Sequence, residues 1–364
     1  MKFNSFLDDI QVYEAGKPIE LVVREYGVKP EDVIKLASNE NPLGTNPVVA
    51  EAICNNADKA HLYPDDSMYE LKDSLSKRFG VESQNIIIGA GSDQILEFIS
   101  RAKLNKNSSV LMSQVTFAMY EIYAKQVGAK VLRTPSYEHK VDEFVDMIEQ
   151  NNPDIVYICT PNNPTGDATS KEDVFRIIDS TPKETIVVID GAYMEYAAAR
   201  DEKYKIEPKE IIELENVIYL GTFSKAYGLG GMRVGYGIAN KDIINALYKM
   251  RPPFNITTLS LAAAIAANND HDFVNRSIEL NEKELLRYKE FAKKYGIEYI
   301  DTYTNFITYL FDKNLDSGKI SQYLLERGVI VRNLASYKIN AIRITIGTEK
   351  QNERLFKLLQ EVIT

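Results

Sequence analysis

The chain has 364 residues, 45% of them hydrophobic and 26% charged, which is enough for a large core in one or two domains. Its 43 basic and 52 acidic side chains give a net charge of −9 at pH 7, which argues against the basic face that nucleic-acid binding requires. An anionic substrate would therefore depend on local arginines rather than on the overall field.

The cysteines and the apolar segments indicate the cellular compartment in which the protein is expected. Cys54 and Cys159 have no CxxC partner, so neither a thiolate metal site nor a disulfide framework is expected, and Cys159 is expected to be a buried, inert thiol. Residues 1–9 carry acids where a signal peptide has an apolar region. The stretch 259–267 is too short to span a bilayer. We expect a soluble protein in a reducing, cytoplasmic setting, without a membrane partner.

Short β-branched runs alternate with helical patterns from about residue 85 to residue 240. Runs that are apolar on both faces are typical of buried strands in a mostly parallel sheet. Residues 141–148 repeat apolar side chains at the spacing of an amphipathic helix. The alternation predicts an α/β large domain over residues 41–270. The predicted strands are residues 86–88, 110–112, 155–159, 186–190, 217–220 and 234–238.

The pattern changes after residue 270 and predicts a smaller α+β domain over residues 271–364, against which residues 1–40 pack. Residues 271–295 predict one long, charged connecting helix that ends at Gly296. The further predicted elements are strands at 305–311, 329–332 and 341–345 and helices around 320–326 and 355–362.

Residues 221–235 (GTFSKAYGLGGMRVG) place Lys225 at the carboxyl end of a predicted strand, where open α/β sheets bind ligands. A Schiff-base lysine needs this setting, because its amine must be partly desolvated and held close to a carbonyl. A lone loop lysine is usually solvated. The neighbours favour function here, because Thr222, Ser224 and Arg233 together could clamp a phosphate.

This segment resembles the cofactor-lysine motif of fold-type I aminotransferases, which bind pyridoxal 5'-phosphate (PLP). Residues 162–166 (NNPTG) and 190–193 (DGAY) match the family's NPTG turn and D-x-A-Y strand end, in the family's order. The resemblance covers most of the chain and implies an α/β fold, with a mostly parallel seven-stranded sheet flanked by helices in the large domain. It also implies that Lys225 holds PLP as a Schiff base.

The resemblance gives the two landmarks roles at the cofactor. Asp190 would face the ring nitrogen, which must stay protonated for PLP to act as an electron sink, although an aspartate ending a strand is otherwise a turn or N-cap residue. Asn163 and Tyr193 would hydrogen-bond the phenolic oxygen, although Asn-Pro is also a plain turn signal. The family often has glutamate after the aspartate, whereas this chain has Gly191, a position that flanks Asp190 without supplying a ligand.

Three further segments complete the implied cofactor site. The turn after residue 89 opens a helix, and the backbone of Ser92 and Asp93 would contact the phosphate. The TFAMY segment matches the one whose aromatic stacks on the pyridine ring, so Phe117 is predicted there, with a core aromatic as the alternative; Val115 stands where the family often has proline. The YPD segment resembles one whose tyrosine, here Tyr63, reaches the cofactor phosphate of a neighbouring subunit, which implies a homodimer; from the sequence alone it is a turn.

Arg332 and Arg343 lie in apolar predicted strands, where a charge is costly unless it is paired or faces a cleft; a surface charge is the alternative. Together with residues 37–44 (ASNENPLG) and 304–307 (TNFI), they resemble the histidinol-phosphate aminotransferases. In that family the two arginines and a tyrosine matching Tyr13 bind the substrate phosphate. Bidentate guanidinium bonds suit either a phosphate or a carboxylate.

The implied reaction moves the amino group of L-histidinol phosphate to 2-oxoglutarate, with imidazole acetol phosphate and glutamate as products, in histidine biosynthesis. Lys225 would be the base and acid of the proton shift, and Asn163 would also contact the substrate. An aromatic-amino-acid or prephenate aminotransferase, or a threonine-phosphate decarboxylase, would share nearly all these residues. A cofactor-sensing regulator and an α/β scaffold without cofactor are alternatives of other classes. No metal site is predicted.

Overall fold

The computed structural model describes residues 3–10, 12 and 17–364. None of the helices in these ranges combines the length and the apolar character that crossing a membrane requires. The helices are α1 (Ile19–Tyr26), α2 (Pro47–Cys54), α3 (Tyr69–Phe79), α4 (Gly91–Lys103), α5 (Ala118–Gln126), α6 (Val141–Asn151), α7 (Lys171–Asp179), α8 (Met194–Arg200), α9 (Pro208–Ile211), α10 (Lys241–Tyr248), α11 (Thr258–Asn268), α12 (His271–Tyr295), α13 (Ser317–Glu326) and α14 (Glu349–Ile363). The strands are β1 (Ile34–Lys35), β2 (Ile86–Gly89), β3 (Ser109–Met112), β4 (Lys130–Arg133), β5 (Ile155–Cys159), β6 (Ile186–Asp190), β7 (Val217–Thr222), β8 (Gly235–Ala239), β9 (Glu298–Ile300), β10 (Phe306–Leu310), β11 (Val329–Ile330), β12 (Arg332–Asn333) and β13 (Ala341–Thr345).

Seven strands form one large sheet in the order β2-β8-β7-β6-β5-β3-β4. Neighbouring strands are parallel except at β8, which runs antiparallel to both β7 and β2. Along β5, Val156 and Ile158 pack into one core cluster, whereas Ile155 and Tyr157 pack into another. Both faces of the sheet are therefore covered, as a parallel sheet with apolar strands requires. The predicted α/β class with a mostly parallel seven-stranded sheet is confirmed.

Two of the predicted strands, residues 155–159 and 186–190, agree with β5 and β6 from end to end. The other four agree with β2, β3, β7 and β8 with small shifts at the ends. The edge strand β4 was missed. Its side chains are exposed or half-buried and it begins and ends on Lys130 and Arg133, so it has no apolar run to detect.

Helix α12 has the predicted bounds. It ends because Gly296 adopts a left-handed φ of 65° and donates its amide to the carbonyl of Ala292. Beyond it, a four-stranded antiparallel sheet has the order β12-β13-β10-β9. The predicted strand 329–332 is wrong as a single element, because β11 and β12 divide it between two sheets. The short strand β9 was not predicted, and it starts on an exposed Glu298.

The N-terminal segment pairs with the C-terminal part of the chain. Ile34 lies opposite Val329 in the parallel pair of β1 and β11. The amide of Leu36 donates to the carbonyl of Ile330, and the amide of Thr345 donates to the carbonyl of Leu36. Leu36 belongs to a core cluster separate from those of the large sheet. These contacts support the proposed division into residues 1–40, 41–270 and 271–364.

Candidate active site

The carboxyl ends of the large sheet's strands surround a cavity of about 120 Å³. Because β2, β3, β5, β6 and β7 all run in one direction, the segments that follow them meet at the same edge, and the turn before β8 joins them. The predicted residues that line the cavity are Ser92, Asp93, Phe117, Asn163, Asp190, Tyr193, Thr222, Ser224, Lys225 and Arg233. The wall also includes residues for which no role was predicted, namely Gly91, Cys159 and Ala192.

Lys225 follows β7 and presents its amine to this cavity. Its Nζ donates to the carbonyl of Ser38 at 3.5 Å and lies 5.6 Å from the centre of the Tyr193 ring. Burial, and then the charges of Arg343 and Arg233, lower the pKa of Lys225 to about 8. Much of the amine is therefore neutral near pH 8, and only the neutral amine can attack a carbonyl.

Asp190 ends β6 and is 4% exposed. The hydroxyl of Tyr120 donates to Oδ2 at 2.7 Å, and the amide of Ala192 donates to Oδ1 at 3.2 Å. Burial raises the pKa of Asp190, and the two hydrogen bonds and the positive charge of Lys225 oppose that rise. A ligand with a protonated ring nitrogen would place a positive charge next to this buried carboxylate. Tyr120 was not predicted, although it stands three positions after Phe117 in the TFAMY segment.

A phosphate-sized group would find its donors at the start of α4. Gly91 has a φ of 76°, and a Cβ atom there would lie 2.5 Å from Nη2 of Arg233, so a side chain at this position would collide with the guanidinium. Arg233 donates to Oγ of Ser224 at 3.3 Å. The carboxylate of Asp93 accepts a hydrogen bond from the hydroxyl of Tyr123 at 3.0 Å. Helix amides, a hydroxyl and a guanidinium together suit a phosphate.

The N-terminal segment contributes contacts that no motif predicted. Asn39 donates from Nδ2 to the hydroxyl of Tyr193 at 2.8 Å, and its amide donates to Oγ1 of Thr345 at 2.9 Å. Its φ of 55° lies in the left-handed region, which asparagine adopts more readily than most residues. The conformation of Asn39 therefore links the small domain to a cavity residue. The ASNENPLG segment was noted only as a family landmark, without a role for Asn39 or Ser38.

The two predicted anion-binding arginines lie side by side. Arg332 in β12 is the direct register partner of Arg343 in antiparallel β13, so their side chains leave the same face of the sheet. Arg343 is buried and donates to Oδ1 of Asn163 and to the carbonyl of Ala37. This places a guanidinium beside Asn163, a residue that lines the cavity.

Three predicted residues of the described chain are not among those that line the cavity, namely Tyr63, Arg332 and Arg343. The Tyr63 side chain is 82% exposed and stacks on Phe254, with ring centroids 4.7 Å apart, and it is not among the cavity's lining residues. A role for Tyr63 thus needs a second subunit. Tyr13 lies outside the described residues. Cys159 does reach the cavity wall, and burial raises the pKa of its thiol to about 12, so it stays protonated at neutral pH.

The glycine that departs from the family pattern has a steric cause. A Cβ atom on Gly191 would lie 2.5 Å from the hydroxyl of Tyr219 and 2.7 Å from its ring. Tyr219 in β7 is the register neighbour of Ile189 and is itself buried. The aromatic ring thus occupies the space that a side chain at position 191 would need.

A family model described as aminotransferase class I and II matches residues 31–359. The chain belongs to this family. It is 67% identical over 364 residues to the histidinol-phosphate aminotransferase of Sulfurovum sp. (strain NBC37-1), covering all of both chains. It is 58% identical to that of Wolinella succinogenes, covering 100% of this chain and 99% of the relative. These similarities confirm the predicted family.

Among solved structures, the histidinol-phosphate aminotransferase from Sinorhizobium meliloti in complex with pyridoxal-5'-phosphate superposes with a TM-score of 0.90. The two chains are 26% identical, and the match covers 100% of this aminotransferase and 97% of the neighbour. The predicted fold type is therefore confirmed. The phosphate donors, the buried carboxylate and the lysine of low pKa make a donor set that fits this cofactor.

Proposed function

We propose that this aminotransferase moves the amino group of L-histidinol phosphate to 2-oxoglutarate with pyridoxal 5'-phosphate as its cofactor. The products are imidazole acetol phosphate and glutamate, and the reaction belongs to histidine biosynthesis. Relatives over the full length of the chain, at 53% to 67% identity, carry the histidinol-phosphate aminotransferase name. The observation that carries the proposal is the arginine pair on one sheet face, with Arg343 bonded to Asn163 at the cavity.

Each cofactor contact is assigned to a residue whose chemistry suits it. Lys225 would bond to the carbonyl carbon, and Asp190 would face the ring nitrogen. Asn163 and Tyr193 would bind the phenolic oxygen, and Phe117 would cover one face of the ring. The phosphate would be held by the amides of Ser92 and Asp93, the hydroxyls of Thr222 and Ser224, and the guanidinium of Arg233.

The protein's part in the reaction is proton transfer, charge placement and orientation. When bound, the cofactor supplies a ring that takes up the electron pair of the substrate's C–H bond. Once the substrate amine has replaced Lys225 at the cofactor's carbonyl carbon, the freed Nζ would take the proton from the amine-bearing carbon and deliver it to that carbonyl carbon. The lowered pKa of Lys225 keeps a neutral amine available for this transfer. The carboxylate of Asp190 would keep positive charge at the ring nitrogen. Asn163 and Tyr193 would fix the orientation of the ring plane.

The anion pocket must serve two different partners. Histidinol phosphate carries a phosphate and no α-carboxylate, whereas glutamate carries two carboxylates. The guanidinium forks of Arg332 and Arg343 can bind either group bidentately, which the point charge of a lysine could not do. The pocket would bind the phosphate of histidinol phosphate or a carboxylate of glutamate. In either case the amine of the substrate would lie near Lys225.

Substrate selectivity tests the proposal. We expect kcat/KM for histidinol phosphate to exceed that for phenylalanine by at least about 10²-fold, because phenylalanine offers the two arginines only a singly charged carboxylate, bonded directly to the amine-bearing carbon, in place of the more highly charged phosphate on its longer arm. Both amines are measured with 2-oxoglutarate as the acceptor, so that only the donor differs. A preference for phenylalanine would assign the enzyme to aromatic amino acids instead. Release of CO₂ from threonine phosphate would indicate the decarboxylase.

The functional unit is a homodimer in which Tyr63 binds the phosphate of the cofactor in the partner subunit. A hollow of about 540 Å³ lies between α2, α3 and α11. Large apolar side chains near it are exposed, namely Val48, Leu62, Tyr63 and Tyr69. Apolar surface of this kind is typical of a face that another chain covers.

Replacing Tyr63 by phenylalanine tests the contact between subunits. We expect Kd for the cofactor to rise about tenfold, because a hydrogen bond to a charged phosphate is lost. Tyr69→Phe is the matched control, since it removes the hydroxyl of a neighbouring exposed tyrosine. In a hybrid dimer of one Lys225→Ala subunit and one Tyr63→Phe subunit, one of the two sites combines a native Lys225 with a native Tyr63 from the other subunit. We therefore expect tight cofactor binding in half of the hybrid sites. Unchanged binding in the mixture would contradict a contact across the dimer.

The cysteines support a reducing, cytoplasmic setting for this reaction. Both are unpaired in the described chain, with Cys54 exposed and Cys159 buried. An exposed free thiol is typical of proteins from reducing compartments.

A further inference from the structure

We propose that Tyr120 is a positioning residue that keeps the proton on the cofactor's ring nitrogen by donating its hydroxyl hydrogen to Asp190. The inference rests on the proposed role of Asp190 and extends it by one residue. Tyr120 touches neither the substrate nor the reacting carbon and acts only through the carboxylate.

The geometry fixes the carboxylate from two sides. Tyr120 lies in α5 and is fully buried, and its hydroxyl donates to Oδ2 of Asp190 at 2.7 Å. The other oxygen, Oδ1, accepts from the amide of Ala192 at 3.2 Å. Each oxygen therefore has one protein donor and keeps acceptor capacity for a further donor, such as a protonated ring nitrogen.

The ring nitrogen of the cofactor and the carboxylate of Asp190 would compete for one proton. The more basic the carboxylate, the more the proton would lie on Asp190. Burial raises the pKa of Asp190, and the Tyr120 hydroxyl opposes that rise. The other neighbouring charges are Asp93, which raises this pKa, and Lys225, which lowers it. If the hydroxyl were absent, the carboxylate would be more basic and would draw the proton away from the ring nitrogen. The ring would then be a poorer electron sink.

Tyr120 is the one side chain that donates a hydrogen bond to Asp190 in the described residues. The thiol of Cys159, the register neighbour of Asp190, donates to the carbonyl of Pro161 at 3.6 Å. Burial raises the pKa of Tyr120 far above its usual value, so its hydroxyl keeps its hydrogen at every working pH. The donor is therefore constant and does not switch with pH.

The aromatic ring of Tyr120 can be retained while its hydroxyl is removed. The ring stacks on Tyr157 with centroids 4.5 Å apart at 4°, and it meets Phe117 edge-on at 5.6 Å. Tyr157 is buried too, but its hydroxyl pairs with Ser100 at 3.0 Å and not with Asp190. Tyr120→Phe and Tyr157→Phe thus each remove one buried hydroxyl from the same stack, and only the first touches the carboxylate.

The test follows the ring proton directly. The holoenzymes of the wild type and of Tyr120→Phe, Tyr157→Phe and Asp190→Asn are prepared with cofactor labelled with ¹⁵N in the ring. We expect the ¹⁵N shift of Tyr120→Phe to move from the pyridinium value towards that of neutral pyridine, in the same direction as in Asp190→Asn. We also expect its kcat with histidinol phosphate to fall about tenfold. Tyr157→Phe should keep the wild-type shift and kcat.

Three outcomes separate the assignments. A shift that moves in Asp190→Asn but not in Tyr120→Phe overturns the role of Tyr120 and leaves that of Asp190 intact. A shift that moves in none of the variants removes the role of Asp190, and the role of Tyr120 with it. Equal shift changes in Tyr120→Phe and Tyr157→Phe would indicate a general loosening of the stack. That outcome also contradicts the proposal.

Discussion

Replacing Lys225 by alanine is expected to lower kcat/KM for histidinol phosphate by about 10⁴-fold, because the variant loses both the bond to the cofactor and the proton carrier. The variant should still bind the cofactor through the phosphate donors around Arg233 and Ser224. Borohydride should fix the cofactor to Lys225 in the wild type and to no residue in the variant. The measurements are steady-state kinetics and peptide mass spectrometry after reduction.

Lys72→Ala is the control, because Lys72 is also partly buried and bonded, with Nζ 3.0 Å from the hydroxyl of Tyr248, outside the cavity. The pKa of Lys225 adds a pH dependence. Because the folded protein lowers that pKa to about 8, the neutral amine accumulates as pH rises through 8 rather than through 10.5. The rate at which cofactor-free protein takes up the aldehyde should therefore rise with a midpoint near 8. A midpoint above 10 would contradict a desolvated Lys225.

Replacing Arg343 by alanine is expected to lower kcat/KM by about 10²-fold or more for histidinol phosphate and for glutamate alike. Both losses follow from one cause, since the pocket that holds the phosphate of one partner holds a carboxylate of the other. Arg343→Lys keeps the charge without the planar fork and should recover only part of the loss. Steady-state kinetics in both half-reactions measure the effect.

Arg354→Ala is the matched control for folding. Arg354 lies in the small domain, and its guanidinium donates to the carbonyls of Asp32 and Arg327, far in sequence from the cavity residues. Its loss should leave both kcat/KM values unchanged while the melting temperature reports any structural cost. If Arg343→Ala lowered kcat/KM for only one of the two substrates, the proposal that one pocket binds both would be wrong.

The buried strands were predictable from the sequence because each is a short apolar run enclosed on both faces. Residues 155–159 and 186–190 show this pattern without interruption. The edge strand β4 could not be recognised, since its side chains are only partly buried. The apolar pattern of a short segment therefore indicates whether the segment is buried. Strands whose side chains are exposed cannot be recognised from this pattern.

Several residues of the candidate site could also be predicted from the sequence, because they stand at the ends of predicted strands. Asp190 and Lys225 each end or closely follow a predicted strand, and parallel strands bring their carboxyl ends to one edge. The contacts of Ser38 with Lys225 and of Asn39 with Tyr193 could not be predicted from the sequence, because each joins positions more than 150 residues apart. The bond from Tyr120 depends on the angle at which α5 meets the sheet, which no spacing in the sequence encodes. The individual roles at the site stay predictions until the variants are measured.

The close approach of Tyr219 to Gly191 constrains how this chain can change over time. A glutamate at position 191 would collide with the aromatic ring, so that single substitution is barred unless position 219 first becomes small. A small residue at 219 alone would leave a void in a packed strand layer, which is unfavourable in itself. Each single step is thus worse than either end state. The two positions should vary as a pair among descendants of this enzyme, and a library that randomises only one of them should not yield a glutamate at position 191.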